Sequence, residues 1–126
     1  MSSGTTRKVL AFTSVVEVGT GIVVMVAPAL VVRLLVGLEI SADGALLARC
    51  FGIALLSLAL ACWPGERVDG TSPAFRGMLA YNALIALYLG YLGAFEDVYG
   101  LLLWPGVMLH AGIAALLPWT VHRQRN

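Results

Sequence analysis

The sequence predicts an all-α fold: a bundle of four transmembrane helices running up-down-up-down, with both termini in the cytoplasm. Three observations carry this. The chain of 126 residues is 60% hydrophobic and only 12% charged, and a mean hydropathy of +0.89 is too apolar for a soluble domain of this size. Four apolar stretches, at about 9–29, 45–63, 75–95 and 99–119, each supply the roughly 20 residues that a helix needs to cross a hydrocarbon core about 30 Å thick. The connections between them are short, so the sequence reads as one transmembrane domain, 1–126, with nothing left for a soluble one. Strands are the wrong reading, because the runs are continuous rather than alternating and about twice the length of a barrel strand.

Arg7 and Lys8 precede the first apolar run, which reaches Ala27-Pro28-Ala29, a small-x-small pattern like that of a signal-peptide cleavage site. The run is too long for a signal peptide and carries Glu17, so an uncleaved helix is expected. Pro28 should end or kink it. The leucines beyond, with Arg33 and Glu39 among them, read as a bent extension or a short interfacial helix. Ser41, Asp43 and Gly44 form a turn and N-cap for the second helix, which Pro64-Gly65 stops. Ser72-Pro73 supplies an N-cap and a first-turn proline for the third. The short polar link before it makes the second and third helices antiparallel neighbours. Glu96-Asp97 breaks the chain before the last helix, which has Pro105 in its first turns and Pro118 at its close.

Basic residues set the expected orientation. Arg7, Lys8, Arg67, Arg76, Arg123 and Arg125, with His122, fall on one side, whereas Arg33 on the other is accompanied by Glu39, Asp43, Glu96 and Asp97. The positive-inside rule then places both termini of this multi-pass chain in the cytoplasm. Trp63, Phe95, Tyr99, Trp104 and Trp119 cluster near the expected helix ends, as an aromatic belt does. The net charge of +1 and the lack of a long basic run give no indication of nucleic acid. Cys50 and Cys62 lie on one helix about 18 Å apart, too far for an intrachain bond, and read as buried small hydrophobes.

One strongly polar side chain interrupts each apolar stretch: Glu17, Arg49, Asn82 and His110. An ionisable group inside a bilayer costs about 2.5–3.5 kcal/mol on insertion scales, so such groups turn to the bundle interior and find partners. Counted from the cytoplasmic ends, Glu17 is about 12 Å deep, Asn82 about 10 Å and His110 about 13 Å. Those three share a layer. Arg49, about 22 Å deep, reaches either down to that layer or up to the outer mouth. On the third helix Gly77, Tyr81, Leu84, Tyr88, Tyr91 and Phe95 follow steps of four and three and draw an aromatic seam, beside a strip of Asn82, Ala86, Gly90 and Gly93 small enough for another helix to approach. Thr13, Glu17, Thr20, Gly21 and Val24 share one face of the first helix.

Glu17 beside His110 would make a proton-exchange pair, since imidazole titrates near neutral pH. Asn82 could donate to the carboxylate or to a ligand carbonyl, and Tyr81 and Tyr88 add hydroxyls to an apolar wall. The candidate ligand-binding or proton-exchange residues are therefore Glu17, Asn82, His110, Arg49, Tyr81 and Tyr88. A pocket of that make-up suits a small, mostly apolar molecule such as a quinone or a lipid fragment. The bland alternative is that these groups bond to one another and fix register, at about 0.6 kcal/mol for each bond. No nucleophile motif, metal-ligand set or cofactor fingerprint supports an enzyme, and a single His110 is no metal or haem signature.

Pro28, Arg33-Leu34-Leu35, Gly37, Leu47-Ala48-Arg49, Gly52 and Leu55-Leu56 together resemble the first half of DoxX-like small four-helix membrane proteins. That resemblance implies a bacterial inner-membrane protein, with some relatives attached to quinone-linked sulfur or redox systems. Glu17-Val18-Gly19-Thr20 is locally similar to the first helix of small multidrug-resistance transporters, in which drug and proton compete for a carboxylate; Arg49, His110, Pro105 and Pro118 depart from their pattern. Three functions follow as expectations. A ligand-binding or redox-accessory protein expects a cavity enclosed by Glu17, Asn82 and His110. A structural subunit of a membrane complex or homo-oligomer expects all four polar groups satisfied, and a proton-coupled transporter expects a cavity open to one side.

Overall fold

The computed structural model describes residues 3–66 and 68–125. Arg67, one of the basic residues behind the expected orientation, lies outside them, as does the side chain of Arg125. The described residues form five helices: α1 (Ser3–Val26), α2 (Pro28–Val36), α3 (Ala42–Ala61), α4 (Pro73–Phe95) and α5 (Leu103–Arg125). Four of them, all but α2, are long and apolar enough to cross a membrane. Large apolar side chains such as Phe12, Leu47, Leu60, Leu87 and Met108 cover the outside. A soluble protein does not expose so much apolar surface, and a multi-pass membrane protein does.

Local chemistry explains the helix ends. Pro28 has no N–H to give the Val24 carbonyl and disfavours helical geometry at Ala27, whose φ/ψ of −133°/60° breaks the path. The stretch after Pro28 is therefore a helix of its own, as the sequence suggested, and α1 ends three residues earlier than the apolar run. Gly37 closes α2 at φ 75°, donating its N–H to the Arg33 carbonyl. Ser41 caps α3 by accepting from the Gly44 N–H at 3.1 Å, and Ser72 caps α4 by accepting from the Phe75 N–H.

The last helix differs most from expectation. It begins at Leu103 rather than near Tyr99, because residues 99–102 are drawn across α2: the Leu102 N–H donates to the Leu34 carbonyl at 2.8 Å, and Gly100 packs so closely on the Leu35 backbone that no side chain would fit. It also runs on through Pro118, which lies inside α5 rather than closing it. Here the Thr120 hydroxyl donates to the Leu117 carbonyl at 2.7 Å and accepts from Thr6 at 3.0 Å. That second bond joins the start of α1 to the end of α5, so these two helix ends lie at one end of the bundle.

The helices pack as two pairs, α1 with α3 and α4 with α5, joined mainly along α1 and α5. Helices α3 and α4, expected to be close neighbours, hardly touch. Their connection, residues 62–72, is long enough to carry the chain sideways over the end of the bundle, where Val68 joins Leu10, Phe75 and Leu117 in a core cluster. Within each pair glycine permits the approach. A Cβ on Gly21 would lie 2.9 Å from the Gly52 carbonyl, one on Gly52 would lie 2.7 Å from the Gly21 carbonyl, and one on Gly93 would lie 2.9 Å from Leu103. The strip expected from Asn82 to Gly93 thus receives α5. A second apolar cluster of Leu89, Val98 and Leu103, packed against Leu35, closes the other end. Between the two clusters lies the polar layer.

Gly52→Ala should destabilise the bundle by about 1–3 kcal/mol, since neither backbone at the crossing can yield. Gly19→Ala, at a position with open space around it, should be silent. Reversible unfolding in mixed micelles measures both.

Candidate functional site

Asn82 organises the layer. It is fully buried on the face of α4 that meets α5. Its Nδ2 donates to the Met78 carbonyl one turn earlier at 2.8 Å, which fixes which end of the amide is which. The Oδ1 then faces Nδ1 of His110 on α5 at 2.8 Å. An amide oxygen can only accept, so Nδ1 carries the proton and Nε2 of the neutral ring keeps its lone pair. Tyr81, next to Asn82, stands edge-on to the His110 ring with centroids 5.7 Å apart. Its hydroxyl lies near enough to Glu17 for the two to interact.

Glu17 is 1% exposed. The Tyr81 hydroxyl does not close into a hydrogen bond with it: both carboxylate oxygens are without a partner, as are the hydroxyls of Thr13 and Ser14. These side chains share the inner face of α1 with Thr6, Leu10 and Gly21, spaced at threes and fours. The layer therefore runs Glu17, Tyr81, His110, Asn82. The expected direct pairing of Glu17 with His110 is not formed, because Tyr81 stands between them.

Beside this layer lies a cavity of about 550 Å³, framed by α1, α2, α4 and α5, with Phe51 of α3 at its edge. Leu34 and Leu35 roof it, while Tyr81, His110 and Thr20 bring polar groups to its wall. Val23, Leu30 and Phe51 border it and are also exposed on the outer surface, so it opens sideways through the helix surface. Glu17 and Asn82 do not line it, contrary to the enclosure expected from depth alone. They stand behind Tyr81 and His110 as supports.

Two candidates leave the site. Tyr88 is 60% exposed, and Leu84, Tyr91 and Phe95 also face outward; of the aromatic seam, Tyr81 alone turns in. Arg49 reaches neither the layer nor the acidic mouth. Its Nε donates to the Met25 carbonyl at 3.3 Å, in the last turn of α1. Carbonyls at a helix end lack intrahelical partners and carry the negative end of the dipole, so a guanidinium there satisfies the break that Pro28 creates. Cys50 is exposed rather than buried, and Cys62 is buried.

Sequence reasoning put Thr13 and Thr20 on the Glu17 face and a short helix after Pro28, but missed α2 as a roof, Thr20 as part of the cavity wall and the orphaned hydroxyl of Ser14. No protein-family model matches the chain, and comparison with curated proteins and with solved structures finds no similar one.

In a double-mutant cycle, Asn82→Ala and His110→Ala should show a coupling of about 0.6 kcal/mol, at most about 1.7. Tyr88→Phe should change neither stability nor that coupling.

Proposed function

We propose that the protein binds a small, mostly apolar molecule bearing a hydroxyl or carbonyl group, of quinone or quinol type, in the cavity beneath α2. One observation supports this most: an apolar chamber of a size suited to small-molecule sites is lined by few polar side chains, among them Thr20 and the adjacent rings of Tyr81 and His110. The unprotonated Nε2 of His110 can accept from a ligand hydroxyl, and Tyr81 and Thr20 are the hydroxyl-bearing residues that line the same chamber. A lateral opening between Val23, Leu30 and Phe51 gives access from the hydrocarbon, where such a molecule dissolves. Bound there, a quinone-like occupant would make the protein an accessory to membrane redox chemistry, the role that the DoxX-like resemblance also suggests. The setting proposed is a bacterial inner membrane with the termini on the cytoplasmic side.

A purely structural subunit fits less well. That reading expects every buried polar group to be satisfied within the bundle, and Glu17 is not. A transporter in which substrate meets the carboxylate directly also fits less well, because Glu17 is screened from the cavity.

Gly106 lines the cavity, and a Cβ there would make ordinary contacts with Leu35 and Leu89 at 3.5 and 3.6 Å. Gly106→Leu should therefore fill the chamber without unfolding the protein. Mass spectrometry of small molecules retained in lipid nanodiscs should find a species with the wild type that falls about tenfold or more in Gly106→Leu and in His110→Phe, the loss expected from about 1.4 kcal/mol. Identical profiles from all three proteins would contradict the proposal.

A further inference from the structure

Four buried oxygen atoms on the inner face of α1 have no hydrogen-bond partner among the described residues: both oxygens of Glu17 and the hydroxyls of Thr13 and Ser14. An ionised carboxylate cannot rest in such a place without a counter-charge, so the group must take up a cation or a proton. The ionisable groups that face it are few. Helix α4 presents Tyr81, and α5 presents His110 behind it; α3 turns Gly52, Leu55 and Ala59 inward, and its Arg49 is engaged at Met25. Helix α1 itself adds only the two hydroxyls, and Arg33 of α2 is exposed. Among the described residues no side chain therefore supplies a fixed positive charge.

Tyr81 is the group common to both compartments. Tyr81 lines the cavity, and its hydroxyl lies near the Glu17 carboxylate. We propose that Glu17 is a proton-exchange site, and that protons reach it from the cavity through the Tyr81 hydroxyl. Hydronium in cavity water gives its proton to the Tyr81 oxygen as the phenolic proton passes to Glu17. Water, a neutral tyrosine and a carboxylic acid remain, and the reverse sequence releases the proton. His110, whose Nε2 is unprotonated, can hold a proton at the cavity end of the path. Because Glu17 does not line the cavity, an occupant gates the proton path rather than competing for the carboxylate. This inference rests on the shape of the cavity and not on the identity of any ligand, so it stands or falls separately from the binding reading.

Infrared difference spectroscopy of the protein in phosphatidylcholine vesicles, with no added ligand, tests it. The wild type should show a carboxylic-acid carbonyl band that fades as pH rises, that is missing in Glu17→Gln and that shifts position in Glu17→Asp. The aspartate variant keeps the assignment testable if glutamine disturbs the fold. After transfer to heavy water, exchange of that band should slow by about tenfold or more in Tyr81→Phe, while the band itself persists. Absence of a titrating band assignable to Glu17, or its loss on adding sodium at constant pH, would overturn the exchange site. Equal exchange rates in the wild type and Tyr81→Phe would overturn the route.

Discussion

A buried amide has to be satisfied at both ends, and Asn82 meets that constraint in a way that determines the rest of the polar layer. Its nitrogen is committed to the Met78 carbonyl, so its oxygen must receive a proton from elsewhere, and His110 is the side chain that gives it. This sets the histidine tautomer, places the ring edge-on to Tyr81 and leaves Nε2 as an acceptor on a side chain that lines the cavity. Membrane interiors make such constraints sharper than water does, because a group left unpaired finds no solvent to bond. One interhelical bond therefore holds α4 to α5 and also gives the cavity its chemical character.

The other helix pair is governed by shape. Gly21 and Gly52 let α1 and α3 touch along their backbones, and Pro28 ends α1 just beyond that crossing. The break has two effects. It frees α2 to fold over the space between the two pairs, and it leaves carbonyls that Arg49 helps to satisfy. The cavity is thus a by-product of two tight pairs that meet loosely, closed at one end by a helix that exists because a proline stopped its predecessor. Glu17 lies behind this space, buried and unpaired, and no feature of close packing explains it.

Much of this was legible in the amino-acid sequence. Helix number, the caps at Ser41 and Ser72, the proline break and the shared depth of Glu17, Asn82 and His110 all follow from local chemistry and a fixed rise per residue. Lateral arrangement does not. In lipid both the outside and the inside of a helix are apolar, so hydrophobic or aromatic periodicity cannot tell them apart, and the seam through Tyr88 faces outward for that reason. Helix pairing likewise depends on which glycines meet, and the polar link between α3 and α4, read as short, did not reveal that. Arg49 was read by depth, whereas its partner is a backbone carbonyl, a group that every residue carries and no sequence pattern marks. The start of α5 was misplaced because Gly100 and Leu102 are held by α2, a contact between distant segments.

The tautomer of His110 tests the central claim most directly, since the layer, the acceptor on the cavity wall and the pairing of α4 with α5 all meet there. Nitrogen-15 solid-state NMR of histidine-labelled protein in lipid bilayers distinguishes the two ring nitrogens. The account predicts that near neutral pH the His110 ring is protonated at Nδ1 and unprotonated at Nε2, with its Nδ1 proton correlated to the Asn82 side chain. A ring protonated at Nε2 and bare at Nδ1 would contradict it.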